Sequence, residues 1–271
     1  MPAPSLSYRI RSLVKRVSMR LNWNIRVPIL FIVFVKNWQP FFSGKTAQTD
    51  TVYTLRNGLK LTVPAGTTNI NPFIDVWINR VYDHARIRWN DATTILDIGG
   101  HIGAFALYAA KKSPSAKIIS FEPDPVTCEY LKKNVMNNNL SRIETRCAAV
   151  GGETGTATLH VLPGRSEANS LYAELKGSHP VSVPVTTLKD VFDTEKIDRC
   201  QLLKMNAEGV EYEILYGLPP EYLKRIDVIV MNYHLFVQKP KATPEDLRTY
   251  LEGHGFTVTE QGKRIFVAVR R

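Results

Sequence analysis

The stretch Ile95-Leu96-Asp97-Ile98-Gly99-Gly100-His101-Ile102-Gly103 decides how the rest of this chain can be arranged. Its first residues are apolar and β-branched and end in an acid, which predicts a buried strand over 94–98. The segment 105–110 has a helix-forming composition without a breaker. Gly99 and Gly103 would let a ligand lie directly on the turn between them, and the helix that follows offers free N–H groups. The stretch therefore predicts a site for a nucleotide-like cofactor.

The spacing of the acid and the glycines separates kinds of cofactor. Dinucleotide dehydrogenases carry Gly-x-Gly-x-x-Gly, whereas this turn reads Asp-x-Gly-x-x-x-Gly. That spacing disfavours a nicotinamide oxidoreductase and favours S-adenosylmethionine, whose ammonium group a carboxylate can orient through water or the backbone. We therefore assign five residues of the turn to cofactor binding: Asp97, Gly99, Gly100, His101 and Gly103.

A second acid follows the next predicted strand. Residues 117–121 are apolar and run into Glu122-Pro123. In a doubly wound fold, the acid that ends the second strand hydrogen-bonds the ribose hydroxyls of the ligand. We assign Glu122 and Pro123 to cofactor binding, because strand, turn, helix, strand and acid occur in the order that such a site requires.

Composition sets the class of protein. With 271 residues and 44% hydrophobic content, the chain can bury one substantial core. Cys128, Cys147 and Cys200 are odd in number and fit no metal-ligand spacing, so we interpret them as reduced thiols of a cytoplasmic protein and expect no metal. The most apolar run, residues 28–35, is too short to cross a bilayer.

The net charge of +10 is concentrated in an N-terminal extension, residues 1–50. Residues 1–49 hold eight basic side chains and no acid, and apolar residues between Leu6 and Leu21 recur at helical spacing. This pattern predicts a basic amphipathic helix that lies either on an anionic membrane surface or against the domain with a solvated basic face. A mitochondrial transit peptide is a further alternative. No nucleic-acid-reading module accompanies the charge, so nucleic acid is not expected as a partner.

Residues 51–92 are predicted to cap the site. Asn57-Gly58 lies between two strand-like segments, which is the strongest short-range signal for a β-hairpin. Apolar residues on one face of 73–82 predict a helix. Because this block precedes the first parallel strand, we expect it to cover the cofactor crevice and to shape the substrate entrance.

Strands and helices alternate in the third region, residues 93–271, which is typical of a parallel sheet with helices on both faces. The apolar run 143–150 is predicted as the third strand. Strands over 201–206 and 226–234 end in polar groups, and α/β sheets bind ligands at those ends. A polar loop, 163–180, is predicted to be a substrate-side lid.

At these residues the chain resembles the FkbM family of S-adenosylmethionine-dependent methyltransferases. The resemblance runs from about the Tyr53 hairpin to the C-terminus. It implies an α/β fold of class I methyltransferases, which is a Rossmann-like, seven-stranded, mostly parallel sheet closed by an antiparallel hairpin, here with an N-terminal hairpin and helix. It also implies that Ala149 contributes to cofactor binding and that the reaction is O-methylation. The matching stretches are Leu96-Asp97-Ile98-Gly99, Phe121-Glu122-Pro123, Ala149-Val150, Pro184-Val185-Thr186-Thr187-Leu188, and Leu203-Lys204 through Glu208-Gly209.

Two carboxylates of the family pattern are amides in this chain. Asn206 stands at the acid of Lys-x-Asp-x-Glu-Gly, and Asn232 at the acid of Glu-x-His. Amides keep hydrogen bonding to substrate but take no proton, so the candidate bases are Glu208 and His234, with His101 further back. His234 has a reference pKa near neutrality. Lys204 would stabilise a developing alkoxide or pair with Glu208. Glu208 also suits a structural role as a helix cap.

Two hypotheses for function follow. The first is a methyltransferase that uses S-adenosylmethionine to methylate a hydroxyl on a sugar, a glycan or a secondary metabolite. The second is a cofactor-binding protein that has lost catalysis through Asn206 and Asn232 and acts as a membrane-associated scaffold or regulator.

Overall fold

The computed structural model describes residues 22–43, 47–166, 169–172, 176–235 and 243–271. The predicted amphipathic helix that ends at Leu21 lies outside these residues. The helices are α1 Trp23–Phe34, α2 Gln39–Phe42, α3 Asn71–Phe73, α4 Ala104–Lys112, α5 Pro125–Met136, α6 Leu188–Thr194, α7 Glu211–Tyr216, α8 Pro220–Leu223 and α9 Pro244–Gly253, with a π-helix over Ile74–Asn79 and a 3-10 turn over Trp89–Asp91. The strands are β1 Thr51–Thr54, β2 Lys60–Val63, β3 Thr94–Ile98, β4 Lys117–Phe121, β5 Ile143–Arg146, β6 Ala149–Gly151, β7 Gly155–Val161, β8 His179–Thr187, β9 Leu202–Met205, β10 Val228–Asn232, β11 Phe256–Glu260 and β12 Ile265–Arg270.

The central sheet has seven strands in the order β11-β12-β10-β9-β3-β4-β5. Neighbours from β10 to β5 are parallel, and β12 runs antiparallel to both β10 and β11. The predicted seven-stranded, mostly parallel sheet with a closing antiparallel hairpin is confirmed. The carboxyl ends of β3, β4, β9 and β10 therefore meet at one edge.

Alternation along the strands builds a hydrophobic core on each face of this sheet. Ile95 packs into a cluster with α1, the β1–β2 hairpin, α4 and α5. Its neighbour Leu96 faces the other side, where α6 to α9 cover the sheet. Burial on both faces fixes the strand register, because a slip by one residue would move every core side chain to the opposite face.

The third predicted strand is wrong in extent. Residues 143–150 do not form one strand, because the chain bends at Ala148. β5 stays in the central sheet, whereas β6 pairs in parallel with β8 in a separate three-stranded sheet, β6-β8-β7. Hydrophobic content alone does not show such a bend.

The prediction of three reduced thiols is wrong for two of them. Cys128 and Cys147 form a disulfide with 5.6 Å between their Cα atoms, because α5 begins beside the end of β5. Cys200 is free and buried, and burial raises the pKa of its thiol to about 12. Since disulfides are rare in reducing compartments, the cytoplasmic location stays a prediction.

The capping block contains the predicted hairpin and helix. β1 and β2 pair antiparallel around Gly58, whose φ is +95°. The predicted helix over 73–82 consists of the end of α3 and the π-helix, which stops at Arg80 in a left-handed conformation. The helix α1 packs on that π-helix. No helix in the described ranges is long and apolar enough to span a membrane.

Candidate active site

Two adjoining cavities lie at the carboxyl edge of the central sheet. The first lies beside Glu122 at the end of β4, and the second lies on the side of the capping block. Gly99, His101, Asn206 and Glu208 line both of them. Molecules bound in the two cavities would therefore meet at these four residues.

The first cavity contains the predicted ribose-binding acid. Its wall includes Glu122, Pro123 and Ala149. The Glu122 carboxylate accepts hydrogen bonds from the backbone N–H of His101 at 2.8 Å and of Asp124 at 3.1 Å. Burial raises the pKa of Glu122 to about 7, against the effect of those two bonds. A carboxylate offers about four acceptor positions, so two remain for ligand hydroxyls.

The predicted lid also lies over the first cavity. Ser166, Asn169 and Leu171 line it, and Asn169 Nδ2 donates to the carboxylate of Asp124 at 3.2 Å. The sequence placed this loop on the substrate side, whereas these three residues contact the cavity of the ribose-binding acid. The three-stranded sheet positions these residues, because Ser170 forms an antiparallel β-bridge with His160 of β7.

His101 has one ring nitrogen left over for a ligand. Its Nε2 lies 2.8 Å from Ser166 Oγ, and that hydroxyl donates to Asn69 Oδ1 at 2.9 Å. Ser166 Oγ must therefore accept a hydrogen bond from Nε2–H, which leaves Nδ1 as an acceptor. Nδ1 is buried without a partner in the described part of the chain. Burial and the charge of Lys204 lower the pKa of His101 to about 3, so the ring stays neutral.

Neighbouring protein atoms approach the turn so closely that three of its positions have no room for a side chain. A Cβ on Gly99, whose φ is +75°, would lie 1.9 Å from the carbonyl oxygen of Asn206. At Gly100 it would lie 2.1 Å from Ser120 Oγ, and at Gly103 it would lie 2.9 Å from a methyl of Leu131. From the sequence, the glycines were expected to leave space for a ligand against the turn. In the structure, β9, β4 and α5 pack against the turn at these positions.

A buried ion pair supports the turn from below. Lys204 Nζ donates to Asp97 Oδ1 at 2.8 Å, to Gly99 O at 2.6 Å and to Ile98 O at 3.2 Å. Asp97 accepts from Ser120 Oγ with its second oxygen and lines neither cavity, so it acts on a ligand through the backbone. Lys204 pairs with Asp97 and not with Glu208, and its three N–H groups are used. Lys204 also lines the second cavity, and its stabilisation of a developing alkoxide stays a prediction.

Two carboxylates hold His234 between them. Its Nδ1 lies 3.0 Å from Glu211 Oε1, and its Nε2 lies 3.3 Å from Glu208 Oε2. Glu211 is fully buried and also accepts from the backbone N–H of Ala207 and Gly209. Glu211 was not predicted from the sequence; the available signal was a second acid three residues after Glu208, at the start of the helix.

The charge of His234 follows from these contacts. Burial lowers its pKa, but the hydrogen bonds and charges of Glu208 and Glu211 outweigh burial and raise the pKa to about 10. His234 is therefore an imidazolium at neutral pH and takes no further proton. Glu208, held in a left-handed conformation with φ of +49°, remains as the proton acceptor of the pair. A non-glycine residue held in that conformation is a feature of functional sites.

The two amides that replace family acids contact each other. Asn232 Nδ2 donates to Asn206 Oδ1 at 3.0 Å, and both side chains line the second cavity. The opposite wall of that cavity comes from the capping block, through Asn71, Asp75 and Tyr82. These three residues were not predicted from the sequence, because they lie far along the chain from β9 and β10 and meet them only in the folded protein.

Comparison with known proteins identifies the family. A family model described as the methyltransferase FkbM domain matches residues 97–258. The chain belongs to the FkbM methyltransferase family. Methyltransferase 1 of Beauveria bassiana is 30% identical over an alignment of 203 positions that covers 68% of this chain and 79% of that protein. Methyltransferase sdnD of Sordaria araneosa is 30% identical, covering 68% and 81%. The 31-O-demethyl-FK506 methyltransferase FkbM of Streptomyces tacrolimicus is 24% identical, covering 80% and 94%.

This FkbM methyltransferase is an enzyme whose cofactor is S-adenosylmethionine. The first cavity fits that group, because a carboxylate with free acceptor positions and an unpartnered buried nitrogen face it. Glu122 would hold the ribose hydroxyls and His101 Nδ1 would accept from a donor of the ligand. No cluster of metal-ligating side chains occurs in the described ranges.

The raised pKa of Glu122 predicts that cofactor affinity depends on pH. Above its pKa of about 7 the carboxylate is ionised and can accept hydrogen bonds from two ribose hydroxyls. Below that pKa one of its oxygens carries a proton and no longer accepts. We expect the affinity of wild type relative to Glu122→Gln to rise about tenfold from pH 6 to pH 8. Calorimetry of both proteins at each pH measures this ratio, from which the ligand's own ionisation cancels. A ratio that stays constant would exclude Glu122 from the ribose site.

Proposed function

We propose that this FkbM methyltransferase transfers the methyl group to a hydroxyl of a small molecule or glycan in the second cavity. The observation that carries the proposal is Glu208, which lines both cavities and forms part of the Glu208–His234–Glu211 network. A hydroxyl acceptor needs such a base at the junction of the two cavities. The name of the Streptomyces tacrolimicus relative, a 31-O-demethyl-FK506 methyltransferase, describes O-methylation of that protein's substrate.

The bound cofactor would supply a methyl group already activated by a sulfonium, so alignment provides much of the acceleration. Asn206 and Asn232 can hydrogen-bond hydroxyls of the acceptor and orient one of them toward the first cavity. Glu208 would take the hydroxyl proton as the carbon–oxygen bond forms and the carbon–sulfur bond breaks, with S-adenosylhomocysteine as the leaving group. The imidazolium of His234 places a positive charge beside the same carboxylate, with Nε2 3.3 Å from Glu208 Oε2.

The amides at positions 206 and 232 are compatible with this chemistry. A hydroxyl oxygen becomes strongly acidic as it is alkylated, so one weak base within reach is sufficient. Glu208 provides that base, and the hydrogen bond from Asn232 to Asn206 fixes the two amides without a buried charge and leaves each with further groups for the acceptor. The proposal therefore favours a working enzyme over a scaffold that has lost catalysis.

A screen of hydroxylated acceptors tests the proposal. We expect the wild-type chain to release S-adenosylhomocysteine with at least one member of a panel of monosaccharide glycosides, polyols and hydroxylated macrolides. The matched variant is Asn206→Asp/Asn232→Glu, which restores both family acids. Turnover by the restored variant alone, with an inert wild type that still binds the cofactor, would instead support the scaffold hypothesis.

A further inference from the structure

The helix α1 carries apolar side chains on both of its faces. Toward the domain, Val27, Leu30 and Phe31 are fully buried. On the opposite side, Ile25, Ile29 and Ile32 follow one another at spacings of four and three residues, which puts them on one stripe. Ile25 is 52% exposed and Ile32 is 36% exposed. We call this stripe the outer ridge of α1. The described residues leave Ile25 and Ile32 exposed and cover Ile29 in part, whereas a helix that is apolar all round normally has both faces covered.

Other exposed apolar side chains gather in the same part of the molecule. Among the described residues, five of the eight exposed large hydrophobic side chains lie between positions 23 and 52. Trp23 begins α1, and Phe42 packs edge-on against Trp38. Val52 lies beside Asn37, which donates to its carbonyl oxygen. The exposed apolar side chains are thus concentrated on α1 and in the segment that follows it, and such a concentration is typical of an interaction surface.

The charges around the ridge are basic. Arg56 donates to the carbonyl oxygen of Ile32 on the ridge itself, and Lys36 follows the end of α1 and is exposed. The chain from residue 1 to 49 has eight basic side chains and no acid. An apolar ridge with basic neighbours and interfacial Trp is the chemistry of a helix that lies on an anionic bilayer.

We propose that the outer ridge of α1 docks this protein on an anionic membrane surface. The helix has 12 residues, about 18 Å at the usual rise, so it lies in the interface and does not span the roughly 30 Å of hydrocarbon. The ridge inserts its isoleucines at the level of the headgroups, while Lys36 and Arg56 meet the lipid phosphates. The alternative occupant, a second copy of the chain, would place the same basic residues against each other.

Docking on α1 would also hold the second cavity close to the membrane. Arg26 of α1 donates to Asn79 Oδ1 at 2.7 Å, and Asn79 donates to Asp75 at 3.0 Å. Asp75 lines the second cavity. The π-helix therefore forms part of the wall of the second cavity and is also the helix on which α1 packs. About one helix diameter separates this wall from the docking surface.

Co-sedimentation of the full chain with vesicles tests the docking surface. We expect wild type to bind vesicles of phosphatidylcholine and phosphatidylglycerol at 3:1, and to bind pure phosphatidylcholine more weakly. Ile25→Ser/Ile32→Ser should weaken partition to the anionic vesicles at least about tenfold. The matched control Val126→Ser/Met136→Ser changes two exposed apolar residues of α5 and should bind like wild type.

A second pair of variants separates charge from apolar contact. Lys36→Glu/Arg56→Glu should lose binding to the anionic vesicles and keep the weak binding to pure phosphatidylcholine. Thermal unfolding verifies that each variant is folded. We expect unfolding temperatures close to that of wild type, because the changed side chains are exposed. The proposal is overturned if the isoleucine variant binds like wild type. It is also overturned if analytical ultracentrifugation shows a wild-type dimer that the isoleucine variant dissociates.

Discussion

Replacement of Glu208 by Gln should lower kcat by about 10²–10⁴-fold, the usual contribution of a positioned base. The amide keeps the size of the side chain and can still accept from His234 Nε2, 3.3 Å away, but it takes no proton. Cofactor affinity should stay within about threefold of wild type, because the lost function belongs to the chemical step. Initial rates at saturating acceptor, together with calorimetry for the cofactor, measure the two effects separately.

The control for this variant is Glu221→Gln, which makes the same change at an exposed acid of α8 and should leave kcat unaltered. Glu211→Gln separates positioning from proton transfer. It removes one of the charges that raise the pKa of His234, so the ring of this variant should titrate closer to neutrality. Its kcat should then vary with pH between 6 and 9, where wild type should not. A Glu208→Gln enzyme with wild-type kcat would exclude Glu208 as the base.

The second large effect is expected at the ion pair below the glycine turn. Asp97→Ala should lower the free energy of unfolding by about 3–5 kcal/mol, the usual cost of removing one partner of a buried pair. The reason is that Lys204 stays buried against Tyr82 and Phe105 with its charge uncompensated. Urea denaturation monitored by circular dichroism measures the change, and cofactor binding should be lost together with the turn geometry.

A double-mutant cycle tests the origin of that loss. Lys204→Met removes the other partner, and Asp97→Leu/Lys204→Met removes both charges. The double variant should be more stable than the sum of the two single changes predicts, because neither partner is left unpaired. Simple additivity, or a loss below about 1 kcal/mol for Asp97→Ala, would show that the pair does not support the turn.

The sequence predicted the cofactor edge of this enzyme because that edge is built from local patterns. Strand, glycine turn, helix and second acid follow one another from Asp97 to Glu122, and each step has its own periodicity or residue signature. The hairpin at Asn57-Gly58 was predictable for the same reason. The FkbM family was therefore visible in the order of these motifs, and the family comparison confirms it.

Contacts between distant parts of the chain were not predictable in this way. The pairing of Lys204 with Asp97, the bend at Ala148 and the Cys128–Cys147 disulfide all depend on which elements become neighbours. Residue type showed that His234 can titrate near neutrality, but only its two carboxylate partners decide that it stays protonated.

The sequence by itself thus determined the fold class, the cofactor turn and the acid that follows the second strand, since local propensity and spacing control all three. Only the tertiary structure decided what the glycine turn at 99–103 rests on and which group takes the proton. The physical reason is that packing density and the charge of a buried group depend on atoms brought together from remote positions. Around Glu208 those atoms come from β9, β10 and α7, and no window of the sequence contains all of them.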